Sequence, residues 1–223
     1  NAILGFTQLM HESTKDPLPK THQNRTEQIL KAGNHLLELI NEVLDLASIE
    51  AGKITVSIEP VCIADLITEV LTVVRPLAQN FHINLIDQIS FNKKVTILAD
   101  KTRLKQVLLN LLSNSIKYNN KGGSVTVSSQ LEKGTRLRID VIDTGVGMSR
   151  EQLNQLFDPF NRLGAENGNI EGTGIGMTIS KNLVEAMNGS IGVESQTGKG
   201  STFNVSFPIC LLSPATETPK VTL

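Results

Sequence analysis

Asn110 and Asn114 stand four residues apart in Asn110-Leu-Leu-Ser-Asn114-Ser-Ile-Lys117, a carboxylate opens Asp143-Thr-Gly145-Val-Gly147, and glycines alternate through Gly172-Thr-Gly174-Ile-Gly176. Amide oxygens suit a hard cation, a carboxylate can accept from an adenine amino group, and glycine turns let backbone N–H groups approach phosphates. Each stretch alone is weak evidence. Helical asparagines often hydrogen-bond locally, an aspartate before glycine often caps its own turn, and glycines often serve as hinges. Together, the three describe a pocket for a magnesium nucleotide.

The elements that must hold these residues are legible from periodicity. Residues Lys101 to Tyr118 form a predicted helix whose apolar side is Leu104, Val107, Leu108, Leu111 and Leu112, with Asn110, Asn114 and Lys117 lined up beside it. Asp143 shares the parity of Leu137, Ile139 and Val141, so an alternating strand turns its carboxylate toward the core, where an acid needs a partner. The glycine run precedes a helix with Ile175, Ile179, Leu183 and Met187 on one face, which places the positive end of a helix dipole near the glycines. Further predicted strands are Ile54 to Ile58, Ile83 to Ile89 and Val95 to Ala99, with a helix from Ile63 to Ala78. Ser124 to Gln130 and Arg136 to Ile142 form a hairpin around Lys133-Gly134, and Ser190 to Glu194 with Thr202 to Phe207 form another around Gly198-Lys199-Gly200. Phe203, Val205 and Phe207 read as core. This mixture predicts an α+β fold, a two-layer α/β sandwich.

The N-terminal part has a different pattern. Ile3, Leu4, Phe6, Leu9 and Met10 give a helical apolar face from the first residues, and Pro17 and Pro19 break it. A second helix runs from Thr21 or His22 to about Ala51 and ends at Gly52. Its stripe of Ile29, Gly33, Leu36, Ile40, Val43 and Ala47, widened by Leu30, Leu37 and Leu44, is broader than one partner helix can cover. Pairing with a second copy as a four-helix bundle would complete it. The expected organisation is a partial helical hairpin at 1–52, a sandwich domain at 53–210 and a flexible Pro/Thr-rich tail at 211–223.

Composition narrows the partners. With 21 basic against 22 acidic residues, the 223-residue chain lacks the positive excess that phosphate backbones attract, so nucleic acid is not expected. Cys62 and Cys210 share no metal-ligand spacing and read as reduced thiols in a reducing compartment. No apolar run is long enough to span a bilayer, so membrane contact is not expected from this segment.

The order and spacing of these motifs resemble the N box, G1 box, F box and G2 box of sensor histidine kinases, the two-component signalling enzymes with a Bergerat-type ATP-binding domain. The F box counterpart is Phe157-Asp-Pro-Phe160-Asn-Arg162, followed by a lid from Leu163 to Glu171. The resemblance implies ATP and Mg²⁺ as ligands. By motif position Asn114 is the magnesium ligand, with Asn110 its helical neighbour and second candidate for the metal, Lys117 contacts phosphate, and Tyr118 lies near the nucleoside. Asp143 accepts from the adenine amino group, Thr202 helps bind adenine, and Gly145, Gly147, Gly172, Gly174 and Gly176 shape the phosphate and lid turns. Phe157 and Phe160 are ordinary buried aromatics that anchor the lid. Arg162 either reaches the terminal phosphate or remains a solvated charge.

Catalytic roles fall to Asn110, Lys117 and Arg162. Where gyrase-like relatives carry a glutamate that activates water, position 110 holds an asparagine, which cannot take that proton. The resemblance therefore implies transfer to a protein histidine, with relay to a response regulator, on the cytoplasmic side whether or not the parent is membrane-anchored. His11-Glu12 does not fit the acceptor motif, because Pro17 stands six residues on and the intervening basic residue is absent. The acceptor is expected about seven residues before Asn1 by helical projection, which would leave this segment unable to phosphorylate itself. His11, His22, His35 and His82 read as surface or packing residues. The alternatives are a nucleotide-binding switch without kinase activity and a gyrase-like ATPase.

Overall fold

The structure is a computed structural model that describes residues 2–13, 17–89, 95–132, 135–163 and 172–210. The expected tail at 211–223, the turn residues Lys133 and Gly134 and lid positions 164–171 lie outside that set, as does the side chain of His35. Two compact units divide at Lys53 and Ile54.

The first unit is a helical hairpin of α1 (Ala2–His11) and α2 (Lys20–Glu50). The helices come close at Gly33, where a Cβ would lie 2.3 Å from Leu4 Cδ2. Thr7 and Thr26 are buried by returning their hydroxyls to helix carbonyls, Ile3 O at 2.7 Å and Gln23 O at 2.8 Å. Ile3, Phe6 and Leu9 of α1 and Leu36, Val43 and Leu44 of α2 are exposed. His11 Nδ1 lies 3.0 Å from Thr26 Oγ1, and His22 is exposed.

The second unit contains β1 (Glu59–Cys62), α3 (Ile63–Phe81), β2 (Asn84–Gln88), β3 (Thr96–Ala99), α4 (Lys101–Lys117), β4 (Ser124–Glu132), β5 (Arg136–Asp143), α5 (Arg150–Gln155), α6 (Gly176–Ala186), β6 (Ser190–Gln196) and β7 (Gly200–Pro208). A five-stranded sheet has the order β2-β4-β5-β7-β6, with β2 parallel to β4 and the other pairs antiparallel. Helix α4 packs against α3 and α6 and onto β4 and β5. Alternation supplies the core: Val125, Val127, Leu137, Ile139, Val141, Phe203, Val205 and Phe207 are buried on the sheet, opposite Leu104, Val107, Leu108, Leu111, Leu112 and Ile116 of α4. Each such side chain contributes about 1.5–3 kcal/mol of burial. This is the expected two-layer sandwich.

The strand expected over Ile54 to Ile58 does not form, despite its alternation. Strand β1 begins only at Glu59, which pairs with Ala99, the last residue of β3. The next residue, Asp100, is the N-cap of α4, accepting from Arg103 N at 3.0 Å and, through Oδ2, from Ser57 N at 2.9 Å. Residues before Glu59 thus run past the end of β3, the strand that β1 pairs with. Sequence periodicity gave α3 too short as well: it continues to Phe81 and closes on His82 in the left-handed conformation, φ 58°, whose N–H caps Ala78 O and Gln79 O.

Candidate functional site

Helix α4 carries polar groups to both the sheet and α6. Ser115, one residue after Asn114, donates from Oγ to Asp143 Oδ2 at 3.4 Å. Asp143 ends β5, buried with the parity of its core neighbours. Its Oδ1 accepts from Gly145 N at 2.8 Å and from Ser201 N at 3.1 Å. Burial pushes this carboxyl above its ordinary value, while the hydrogen bonds from Gly145, Ser201 and Ser115 pull it back. Oδ2 therefore keeps acceptor capacity beyond one long hydroxyl bond.

The turn after Asp143 is locked from two directions. Tyr118, the C-cap of α4, accepts from Val146 N at 3.3 Å, and a Cβ on the buried Gly145 would lie 2.5 Å from Tyr118 O. Gly147, at φ 64°, passes so close to the β6–β7 hairpin that a Cβ would stand 2.0 Å from Gln196 O. Gly198 N returns to Val146 O at 2.7 Å and Met148 N to Ser195 Oγ at 2.8 Å. Only glycine suits position 147 on both counts.

At the other side of α4, Asn110 meets α6. Its Nδ2 donates to the buried Ser180 Oγ at 2.8 Å, and its Oδ1 accepts from Asn114 Nδ2 at 3.3 Å. A Cβ on Gly176, the first residue of α6, would lie 2.7 Å from Asn110 Oδ1. Gly174 (φ 75°) approaches the backbone of Phe160 and Asn161, while Gly172 is exposed with open space around it. Lys117 ends α4, and Lys117, Tyr118 and Arg162 are half-buried. So Asn110, Asn114 and Gly176 gather where α4 meets α6, Gly174 lies against Phe160 and Asn161 just before α6, and Tyr118, Asp143, Gly145 and Gly147 gather at the sheet end of α4.

Thr202 pairs with Ile142, one residue out of phase with Asp143, and its side chain belongs to the sheet face that carries Ile142 and Glu194. Asp143, Lys199, Ser201 and Thr202 nevertheless all line one open cleft of about 300 Å³. Ser201 is the residue beside Asp143, and the in-phase pairing of Asp143 with the residue after Gly200 is the signal that sequence reasoning passed over. Phe160 is not a buried aromatic. It is 65% exposed at φ 63°, whereas Leu156 is buried. Phe157, half-buried, receives a hydrogen bond from Thr178 Oγ1 to its carbonyl at 2.9 Å and lies under Lys181 Nζ, 5.4 Å from the ring centre. Ser115 and Ser180 were also missed, being small residues without a motif of their own.

Among the described residues no group of three or more His, Cys, Asp or Glu could hold a metal, and no helix is long and apolar enough to cross a membrane.

Residues 99–210 match the family described as "Histidine kinase-, DNA gyrase B-, and HSP90-like ATPase", and residues 1–52 match "His Kinase A (phospho-acceptor) domain". The chain is 38% identical to the sensor histidine kinase GacS of Pseudomonas protegens over 92% of its own length and 23% of that protein's. It is similar to full-length ShkA solved in complex with AMPPNP, with a TM-score of 0.79 and 30% identity over 95% of this chain and 43% of that one. It is also similar to histidine kinase ThkA solved in complex with response regulator protein TrrA, with a TM-score of 0.61 and 25% identity over 93% of this chain and 56% of that one. The chain spans about a quarter of the length of the curated relatives it matches. With a phospho-acceptor-type hairpin ahead of an ATPase-type sandwich, the chain belongs to the sensor histidine kinases.

Proposed function

We propose that this chain binds MgATP and delivers its γ-phosphoryl group to a histidine, for relay to a response regulator. The observation that carries the proposal is Asp143: a buried carboxylate, raised in pKa by desolvation, fixed by backbone N–H groups on one oxygen and flanked by the asparagine-bearing helix. Such a group suits an adenine amino donor. ShkA, solved with AMPPNP, supports the nucleotide, and ThkA, solved with TrrA, supports the regulator.

The donor set fits magnesium. Asn114 commits its Nδ2 to Asn110 Oδ1, so its carbonyl oxygen is the atom left with ligand character, and phosphate oxygens and water would complete an oxygen shell. Bound there, the cation would neutralise charge on the β- and γ-phosphates. Lys117 and Arg162 add cationic charge, and the N–H groups at the start of α6, with Gly172 and Gly174 leading in, face an anion favourably. Ser201, rather than Thr202, stands beside Asp143 as the second adenine-end residue.

The chain's own part is positioning and charge stabilisation. As an imidazole nitrogen bonds to the γ-phosphorus, the bridging P–O bond breaks and ADP departs. Asn110, tied to Ser180 and Asn114, supplies no base for water, which favours a histidine acceptor over hydrolysis. None of the chain's four histidines stands in an acceptor motif, so the acceptor is proposed to lie outside residues 1–223. The exposed apolar faces of α1 and α2 would be covered by a second copy.

Incubation with [γ-³²P]ATP and a separate helical bundle carrying an intact acceptor motif tests this. Label on the added histidine supports kinase activity. Binding without label points to a nucleotide switch, and sustained phosphate release points to a gyrase-like ATPase.

A further inference from the structure

The Asn110 amide is gripped at both ends. Its Nδ2 donates to Ser180 Oγ at 2.8 Å and lies 3.8 Å from Met177 Sδ, both on α6, while its Oδ1 accepts from Asn114 Nδ2 at 3.3 Å. A thioether sulfur accepts and cannot donate, so the end of the amide facing Met177 and Ser180 is the NH₂ end. The oxygen is thereby turned to Asn114 and takes up that residue's NH₂ group, so that the acceptor end of the Asn114 amide is its carbonyl oxygen. An amide turned the other way would aim N–H groups at a cation.

Ser180 is otherwise hard to account for. It is 2% exposed on a helix face shared with Met177, Ile179, Leu183 and Val184, where an apolar residue would pack without the cost of burying a hydroxyl. Gly176 completes the arrangement, because a Cβ at that position would lie 2.7 Å from Asn110 Oδ1 and displace the amide.

We infer that Ser180 is a positioning residue that, through Asn110, orients the Asn114 carbonyl for magnesium; the inference rests on the nucleotide function proposed above. Ser180 is buried and accepts from Asn110, so its effect runs through two amides. It acts as an outer-shell partner that fixes which atom of a ligand faces the ion.

Calorimetric titration of ATP into the whole chain, across a Mg²⁺ series and in EDTA, tests this with Ser180→Ala. The expected result is an apparent Mg²⁺ affinity lowered about tenfold, ATP affinity in EDTA unchanged, and no further loss when the same substitution is made in an Asn114→Ala background. Ser180→Cys, which keeps the volume but weakens the acceptor, should behave the same way and serves if the alanine variant folds poorly. Equal loss in EDTA, undiminished loss in the Asn114→Ala background, or no loss at all would overturn the inference. Wild-type chain without Mg²⁺-dependent ATP binding would defeat the proposed function itself and this inference with it. Wild-type dependence that survives both Ser180 variants defeats the inference alone.

Discussion

Asp143 and Ser201 face each other across β5 and β7, and the Ser201 N–H donates to Asp143 Oδ1 at 3.1 Å. The pair fixes a buried carboxylate at the end of a core strand, held among the described residues by neutral hydrogen-bond donors. That arrangement costs stability, and the consequence can be measured.

Asp143→Asn should keep or raise thermal stability while weakening ATP binding about tenfold or more, the loss expected when a charged hydrogen-bond acceptor is removed. The sign follows from linkage. The folded carboxyl is raised above 3.8, so between that value and its raised one the folded state holds more protons than the unfolded state. The Asp143 contribution is thus most favourable at acid pH and is lost as pH rises through the raised value. Melting curves from pH 3.5 to 8 should show the difference, variant minus wild type, growing toward neutral pH; a difference that shrinks would contradict this.

Gly147→Ala should destabilise the second unit by about 1–3 kcal/mol, the range for a non-glycine residue held in a sparsely populated backbone region. Its φ is 64° and a Cβ would sit 2.0 Å from Gln196 O, so the turn and the β6–β7 hairpin must separate. Denaturant unfolding measures the loss.

Leu156→Ala should cost about 2–5 kcal/mol, whereas Phe160→Ala should fall within about 0.5 kcal/mol of wild type. One side chain is 7% exposed and the other 65%. Comparable losses in urea melts would mean that Phe160 is covered in solution.

Leu36→Asp with Val43→Asp should weaken self-association of the chain at least about tenfold, since each apolar side chain removed from an interface forfeits about 1.5–3 kcal/mol of burial. Both residues are exposed on α2. Sedimentation equilibrium reads the change, and a wild-type chain that stays monomeric at high concentration would contradict the proposed bundle.

Helix α4 was legible because its apolar period and its amide row occupy different faces, and every core position named from the period is fully buried. Asp143 was legible by parity with Leu137, Ile139 and Val141. Ile54 to Ile58 misled because alternation reports a face and not a partner, and β3 ends where the pairing would have to continue. Ser201 was not legible because a motif match tolerates a one-residue shift that a strand does not: the shift moves the side chain through the sheet, and the residue in phase with Asp143 is Ser201. Phe160 misled because an aromatic was assumed buried, yet the left-handed turn at φ 63° directs the chain otherwise. The partnership of Asn110 with Ser180 spans 70 residues, and no local pattern encodes it.

In the proposed pocket Asn114 ligates the metal of a bound ATP. Calorimetric titration of ATP in Mg²⁺, wild type against Asn114→Ala, tests it most directly. Wild type should bind clearly, and the affinity of the variant should fall to the wild-type value measured in EDTA. Equal affinities for the two proteins in Mg²⁺, or no heat of binding from wild type, would contradict it.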